Sequence, residues 1–194
     1  MALTVLNKIG TASILDNAIT SGKIINNAVT SSKIVAGAGG KILQTVSVLT
    51  TTQASQAITT SDTQLGLLTK AITPLGANSK FLVYVRWFGE VLEPYNVCFN
   101  IQMNGTRVNV NSGGRGYALA VPLLSFHLNE DSTPENANFQ TLVSTSSVIG
   151  TAITFRAVVD AFSSRTLWNN RCFGTPSSGS EASTSELIIT ELAA

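Results

Sequence analysis

Apolar and polar positions along this chain follow two different periods, and the change falls near residue 40. Beyond it the period is two. In 41–52, KILQTVSVLTTT, the set Ile42, Gln44, Val46, Val48, Thr50 alternates with Leu43, Thr45, Ser47, Leu49. That alternation places successive side chains on opposite faces of a strand. The run 80–91, KFLVYVRWFGEV, is almost continuously apolar and predicts a central strand covered on both faces. Residues 151–162 (TAITFRAVVDAF) and 185–193 (SELIITELA) predict further strands, and LLSFHLNE at 123–130 and QTLVS at 140–144 carry shorter versions of the same signal. No window of ten or more residues places its apolar positions at helical spacing.

The most specific local signal is VCFNIQMNGTRVNV, residues 97–110. Asn104-Gly105 is the dipeptide that a two-residue type I′ hairpin turn prefers. That loop length sets Met103 opposite Thr106, Ile101 opposite Val108 and Phe99 opposite Val110, all on one face. Cys98, Asn100, Gln102, Arg107 and Asn109 fall on the other face. Gly, Pro, hydroxyl and acidic residues mark loops at 112–116 (SGGRG), 129–138 (NEDSTPENAN) and 173–184 (FGTPSSGSEAST), the default places for binding. Residues 41–194 therefore read as an all-β domain, an antiparallel β-sandwich of jelly-roll type.

Before residue 40 the step is five. Three decamers align: IGTASILDNA (9–18), ITSGKIINNA (19–28) and VTSSKIVAGA (29–38). Ile9, Ile14, Ile19, Ile24, Val29 and Ile34 recur at that step, with Ile25 beside Ile24. On a helix a step of five turns about 140°, so these side chains would scatter around the axis. On a continuous strand they would change face each time. The remaining geometry is a chain that bends within every decamer, with Thr20 and Thr30 as short caps and Asp16-Asn17 and Asn26-Asn27 as turns. Repeats that cannot bury their apolar face alone stack on neighbours. Three copies are too few for a solenoid, which makes the missing neighbours other chains. Residues 1–40 therefore read as an extended oligomerisation stalk, with Ile9, Ile14, Ile19, Ile24, Ile25, Val29 and Ile34 as its contact residues. The glycine cluster Ala36-Gly37-Ala38-Gly39-Gly40 is its joint to 41–194.

Composition sharpens this division. All 13 aromatic residues and all 5 prolines lie beyond residue 73, and aromatics bring the largest areas to a core. Charged residues are 12% of the 194, against roughly 25% in ordinary globular chains. Polarity comes from 23 threonines and 21 serines instead. A net charge of +1 argues for neither nucleic acid nor an anionic membrane as partner. No apolar run approaches the ~20 residues that span a bilayer, and MALTVLNKIG lacks the basic-then-apolar order of a signal peptide. Cys98 and Cys172 form no metal motif and read as buried free thiols.

Candidate chemistry is sparse. His127 is the single histidine and reads as a core or rim residue. No nucleophile elbow or phosphate loop is present, and SGGRGY follows no strand–helix pattern. A glycosidase needs two carboxylates on one cleft; Glu90 and Glu93 read instead as solvated loop residues, with Asp160 remote from them. No His/Cys/Asp cluster suits a metal, so neither cofactor nor enzymatic activity is expected. Trp87 and Trp168 have the rings to stack on a sugar, although a tryptophan among strands more often fills a core.

Four blocks, GAGGKILQTVSV, ITPLGANSKFLVYVRW, MNGTRV and ELIITEL, together resemble the C-terminal module of bacteriophage tail-fibre-like proteins, especially those of marine phages. The NAVTSSKI decamers resemble the repeats that precede such modules. The resemblance implies a homotrimeric structural virion protein, made in the host cytoplasm and carried on the particle. It would be anchored by its N-terminus to other virion proteins of capsid or tail and present its head for host-surface attachment. Arg115, Tyr117 and Trp168 are the candidate host contacts. Two further readings stay open: a head fibre or capsid-decorating protein that stabilises the capsid, and a carbohydrate-binding receptor-recognition module with a host-surface glycan as partner.

Overall fold

A computed structural model describes residues 42–91, 97–110, 119–121, 135–173 and 181–194, all within the compact unit Lys41–Ala194. The expected stalk, the strand at 123–130, the loop at 112–116, and Glu93, Arg115, Tyr117 and His127 lie outside the described residues. Among those described, every regular element is a strand: β1 (Ile42–Thr50), β2 (Ala54–Ile58), β3 (Thr63–Ile72), β4 (Lys80–Val91), β5 (Val97–Met103), β6 (Thr106–Arg107), β7 (Glu135–Ser144), β8 (Ile153–Ala161), β9 (Arg165–Asn169) and β10 (Ser185–Leu192).

The strands form two sheets, and every pairing is antiparallel. The larger runs β1-β10-β4-β9-β2, with β7 on the other edge of β4, and the smaller runs β3-β8-β5-β6. β4 organises the larger sheet. It pairs β7 from Lys80 to Gly89, and β10 from Lys80 to Arg86; β9 continues along the β10 edge from Gly89 to Val91. The handover falls at Phe88. Its N–H donates to Ser185 Oγ at 3.0 Å, and its carbonyl accepts from Asn170 N at 2.9 Å. Gly89 lies where β9 crowds in: a Cβ there would sit 1.9 Å from the Trp168 carbonyl oxygen and 2.5 Å from the Trp87 ring.

One apolar core lies between the sheets. Phe81, Val83, Val85 and Trp87 of β4, Phe99 and Ile101 of β5, and Phe155, Ala157 and Val159 of β8 are all fully buried. Rings meet across the layers: Phe81 and Phe155 have centroids 5.6 Å apart, and Trp87 and Phe99 5.0 Å. Buried side chains of this size each stabilise the fold by roughly 1.5–3 kcal/mol.

Strands β1, β4, β8 and β10 fall where the alternation predicts them, within two residues at each end. Several expectations are corrected. Up to Phe88, β4 is covered on one face only: its odd-numbered residues are buried, while Leu82 is 36% exposed and Tyr84, Arg86 and Phe88 are half-buried; at its end Glu90 is buried as well. Its run of apolar residues reflects its place in the middle of a sheet, with neighbours on both edges. β7 begins at Glu135, inside the stretch expected to be loop. β2, β3 and β9 carry too weak an alternation to predict. In β3 the period is broken at Gly66, whose φ of +53° lies within a register shift between Gln64 and Thr69.

The hairpin follows its turn chemistry. Asn104 and Gly105 both have positive φ, at 49° and 87°, as a type I′ turn requires. Met103 pairs with Thr106, Gln102 pairs with Arg107, and Val108 N donates to Ile101 O at 3.0 Å. Beyond that the register ends. Phe99 bridges Ala120 and not Val110, because Asn109 turns with positive φ and its amide donates to Thr141 Oγ1 at 2.6 Å and to Leu142 O at 2.7 Å.

Candidate functional site

A cleft of about 270 Å³ lies where β2 and β9 meet the start of β3. Its lining includes Thr52, Gln56, Gln64, Leu67, Asn169 and Asn170. Two backbone irregularities open it. Gly66 and Asn170 both adopt positive φ, at 53° and 59°, a conformation that glycine and asparagine tolerate best. At Gly66 the chain bulges toward Asn169: an added Cβ would meet Asn169 Oδ1 at 3.2 Å.

A chain of amides fixes the floor. Trp87 Nε1 donates to Asn169 Oδ1 at 2.9 Å, and Asn169 Nδ2 donates to Gln56 Oε1 at 2.7 Å. Gln56 Oε1 also accepts from Gly66 N at 2.8 Å, while Gln56 Nε2 donates to Gln64 O at 2.7 Å. Gln64 Nε2 donates to Gly66 O at 3.0 Å. Asn170 Nδ2 donates to Thr52 O at 2.9 Å, and its Oδ1 accepts from Ser185 Oγ at 2.6 Å. Each side-chain amide is thus held by at least one hydrogen bond, and the network reaches the core through the Trp87 indole. The lining holds no titratable side chain, so the cleft offers hydrogen bonds and apolar contact in place of acid–base chemistry.

The ionisable groups gather elsewhere. Glu90 and Glu135 are 1% and 3% exposed, which corrects the reading of Glu90 as a solvated residue. Glu90 Oε2 accepts a short hydrogen bond from Phe173 N, and Glu135 Oε2 accepts from Val91 N at 3.0 Å. Burial pushes the Glu135 carboxyl up to about 8; the Val91 N–H opposes this and the charge of Glu90 adds to it. Cys172 lies against the same group. Burial pushes its thiol up to about 12, and Glu90, Glu181 and Glu135 reinforce the shift. Both cysteines are buried and free.

A second polar cluster lies on the face of the smaller sheet turned away from the core. Arg107 forks onto Asp62, with Nε 2.9 Å from both carboxylate oxygens and Nη2 in short contact with Oδ1. Its Nη2 also reaches Asp160 Oδ1 at 3.0 Å. Gln102 Nε2 donates to Asp62 Oδ2 and Arg156 Nε to Gln102 Oε1, both at 2.6 Å. Burial raises the Asp160 carboxyl and Arg107 opposes the shift. Among the described residues, no group of three or more His, Cys, Asp or Glu side chains is placed to hold a metal ion.

No protein-family model matches the sequence, and no curated protein matches it either.

Of the candidate host contacts, Trp168 alone is described. It lies in β9, 6% exposed, with its ring edge-on to Phe173 at 4.8 Å. It fills space beside Glu90, its register partner on β4, and presents no ring for stacking. Of the cleft residues, Gln56 and Gln64 carry no sequence signal of their own. Only Asn169-Asn170, a turn-forming pair after a short apolar stretch, points toward the place.

Proposed function

We propose that this chain is a structural virion protein: a homotrimeric phage appendage whose residues 1–40 form the oligomeric stalk. Residues 41–194 form a β-sandwich head of jelly-roll type. The observation that carries this reading is the five-residue apolar step from Ile9 to Ile34, which neither a lone helix nor a lone strand can place on one side. The stalk anchors the head to a capsid or tail protein, and the head is displayed toward the host surface without catalysing a reaction.

A second line of support comes from Glu191. Its carboxylate accepts from Gln44 Nε2 at 2.7 Å, Gly76 N at 2.9 Å and Ser79 Oγ at 2.6 Å. Gln44, Gly76 with Ser79, and Glu191 belong to three of the four blocks that carry the phage-fibre resemblance. These three blocks are thus tied together around one buried carboxylate.

Light scattering on the purified full chain tests the reading. The expected particle has three times the 20.4 kDa chain mass. A monodisperse monomer with folded strands overturns it. Immunogold electron microscopy of intact particles separates a tail fibre from a head fibre or capsid-decorating protein.

A further inference from the structure

We infer that the cleft between β2, β9 and the β3 bulge is a subsite for a single uncharged sugar ring. The inference deepens the host-attachment reading, and rests on it only for its biological setting.

Size sets the first limit. At about 270 Å³ the cleft falls just below the ~300–1,000 Å³ range of small-molecule sites. It has room for one ring with its hydroxyls, and too little for a nucleotide or a peptide helix. Charge sets the second. Gln56, Gln64, Asn169 and Asn170 contribute amides, Thr52 a hydroxyl, and no lining residue carries a charge. An anionic or cationic ligand would lose water there with no counter-charge in return.

The third limit is the state of the amides. A primary amide has two N–H donors and an oxygen with two lone pairs. Gln56, Gln64, Asn169 and Asn170 each spend one N–H on the protein itself. That bond fixes the side chain; Asn169 and Asn170, 4% and 0% exposed, form the floor, and the half-buried Gln56 and Gln64 each keep a second N–H for a ligand. Gln64 Oε1 accepts from no group among the described residues, and Gln64 is half-buried. Fixed donors and acceptors of this kind match the hydroxyls of a neutral sugar, each of which both donates and accepts. Because the amides are already ordered, the ligand does not bear the entropic cost of ordering them. Leu67, 57% exposed on the wall, supplies the apolar surface against which the C–H face of a pyranose rests. One ring in so shallow a site binds in the millimolar range.

Saturation-transfer NMR on the full chain tests this with glucose, galactose, mannose and N-acetylglucosamine, and with glucuronate and glucosamine as charged controls. At least one neutral sugar is expected to receive signal, and both charged sugars much less. Leu67→Asp changes an exposed side chain and keeps the fold, and should weaken the neutral sugar at least tenfold. Gln64→Ala should do the same, with unchanged circular dichroism. Three results overturn the proposal: no transfer to any neutral sugar, equal transfer to the charged ones, or binding that survives both substitutions. Light scattering on the same sample keeps the two readings apart. A trimer that binds no sugar defeats the subsite alone, and a monomer that binds one defeats the appendage alone.

Discussion

The Ser79 hydroxyl donates to the Glu191 carboxylate at 2.6 Å, across 112 residues of sequence. The same carboxylate accepts from the Leu75 and Gly76 N–H groups, at 3.0 and 2.9 Å, and from the Gln44 amide. It therefore fixes the turn that feeds β4 and ties it to β1 and β10. Burial would raise this carboxyl, but the bonds from Ser79, Gln44, Leu75 and Gly76 together hold it below the usual range. Glu191→Ala leaves the part-buried Leu75 and Gly76 N–H groups without an acceptor, at ~1–3 kcal/mol each. The expected loss is about 3–5 kcal/mol, read from urea denaturation. Because the folded pKa is lowered, this stabilisation is present above the unfolded value and disappears as pH falls through the folded one.

Glu135 has the opposite sign. Its folded carboxyl titrates near 8 against an ordinary 4.5, so between those values the folded state holds a proton that the unfolded state has released. Stability should fall as pH rises through that window. Glu135→Gln keeps an acceptor for Val91 N–H and cannot ionise. The variant should flatten the fall, exceeding the parent in stability at pH 9 and converging on it below pH 5. Denaturant midpoints measured across that range check the slope. An unchanged slope would mean that Glu135 is not the group responsible.

Gly89→Ala should be among the most damaging single changes. Its new methyl would meet backbone on one side and the Trp87 ring on the other, at 1.9 and 2.5 Å. Neither is the flexible end of a side chain. Overpacking of this kind costs about 3 kcal/mol or more. A lowered Tm, together with a shift in tryptophan emission, is the expected signature.

Arg107→Ala leaves Asp160, which is buried, without its cation. Breaking such a pair from one side costs about 3–5 kcal/mol. Arg107→Lys keeps the charge but loses the fork onto Asp62, so its cost should be intermediate. Thermal unfolding of the two variants beside the parent measures the order.

Ile24→Asp combined with Ile34→Asp tests the stalk. Carboxylates placed between stacked chains should weaken the oligomer by several kcal/mol. The spectrum of the β-domain should stay unchanged. Unaltered assembly in analytical ultracentrifugation would show that these side chains do not face partner chains.

Much of the fold was legible because its signals are local. The Asn104-Gly105 turn depends on two residues that accept positive φ, and the alternation in β1, β8 and β10 depends on which neighbours face the same side. These are properties of a few consecutive residues, and the amino-acid sequence by itself determined them. It also determined the uncharged character of the chain and the five-residue step of its first forty residues.

Only the tertiary structure decided what the strands bring together. Strand order sets Gln44 beside Glu191, 147 residues away, and no period records strand order. Cys98, Asn100 and Gln102 lie on the polar side of the hairpin, and all three are nonetheless buried. Glu90 looks solvated in sequence, but the chain that returns through Phe173 takes it out of water. The cleft follows the same rule. Gln56, Gln64 and Asn169 become neighbours only because β2 pairs with β9 while Gly66 bulges toward them. A contact between distant segments depends on the path of the chain between them, and alternation fixes the faces of each strand without fixing that path.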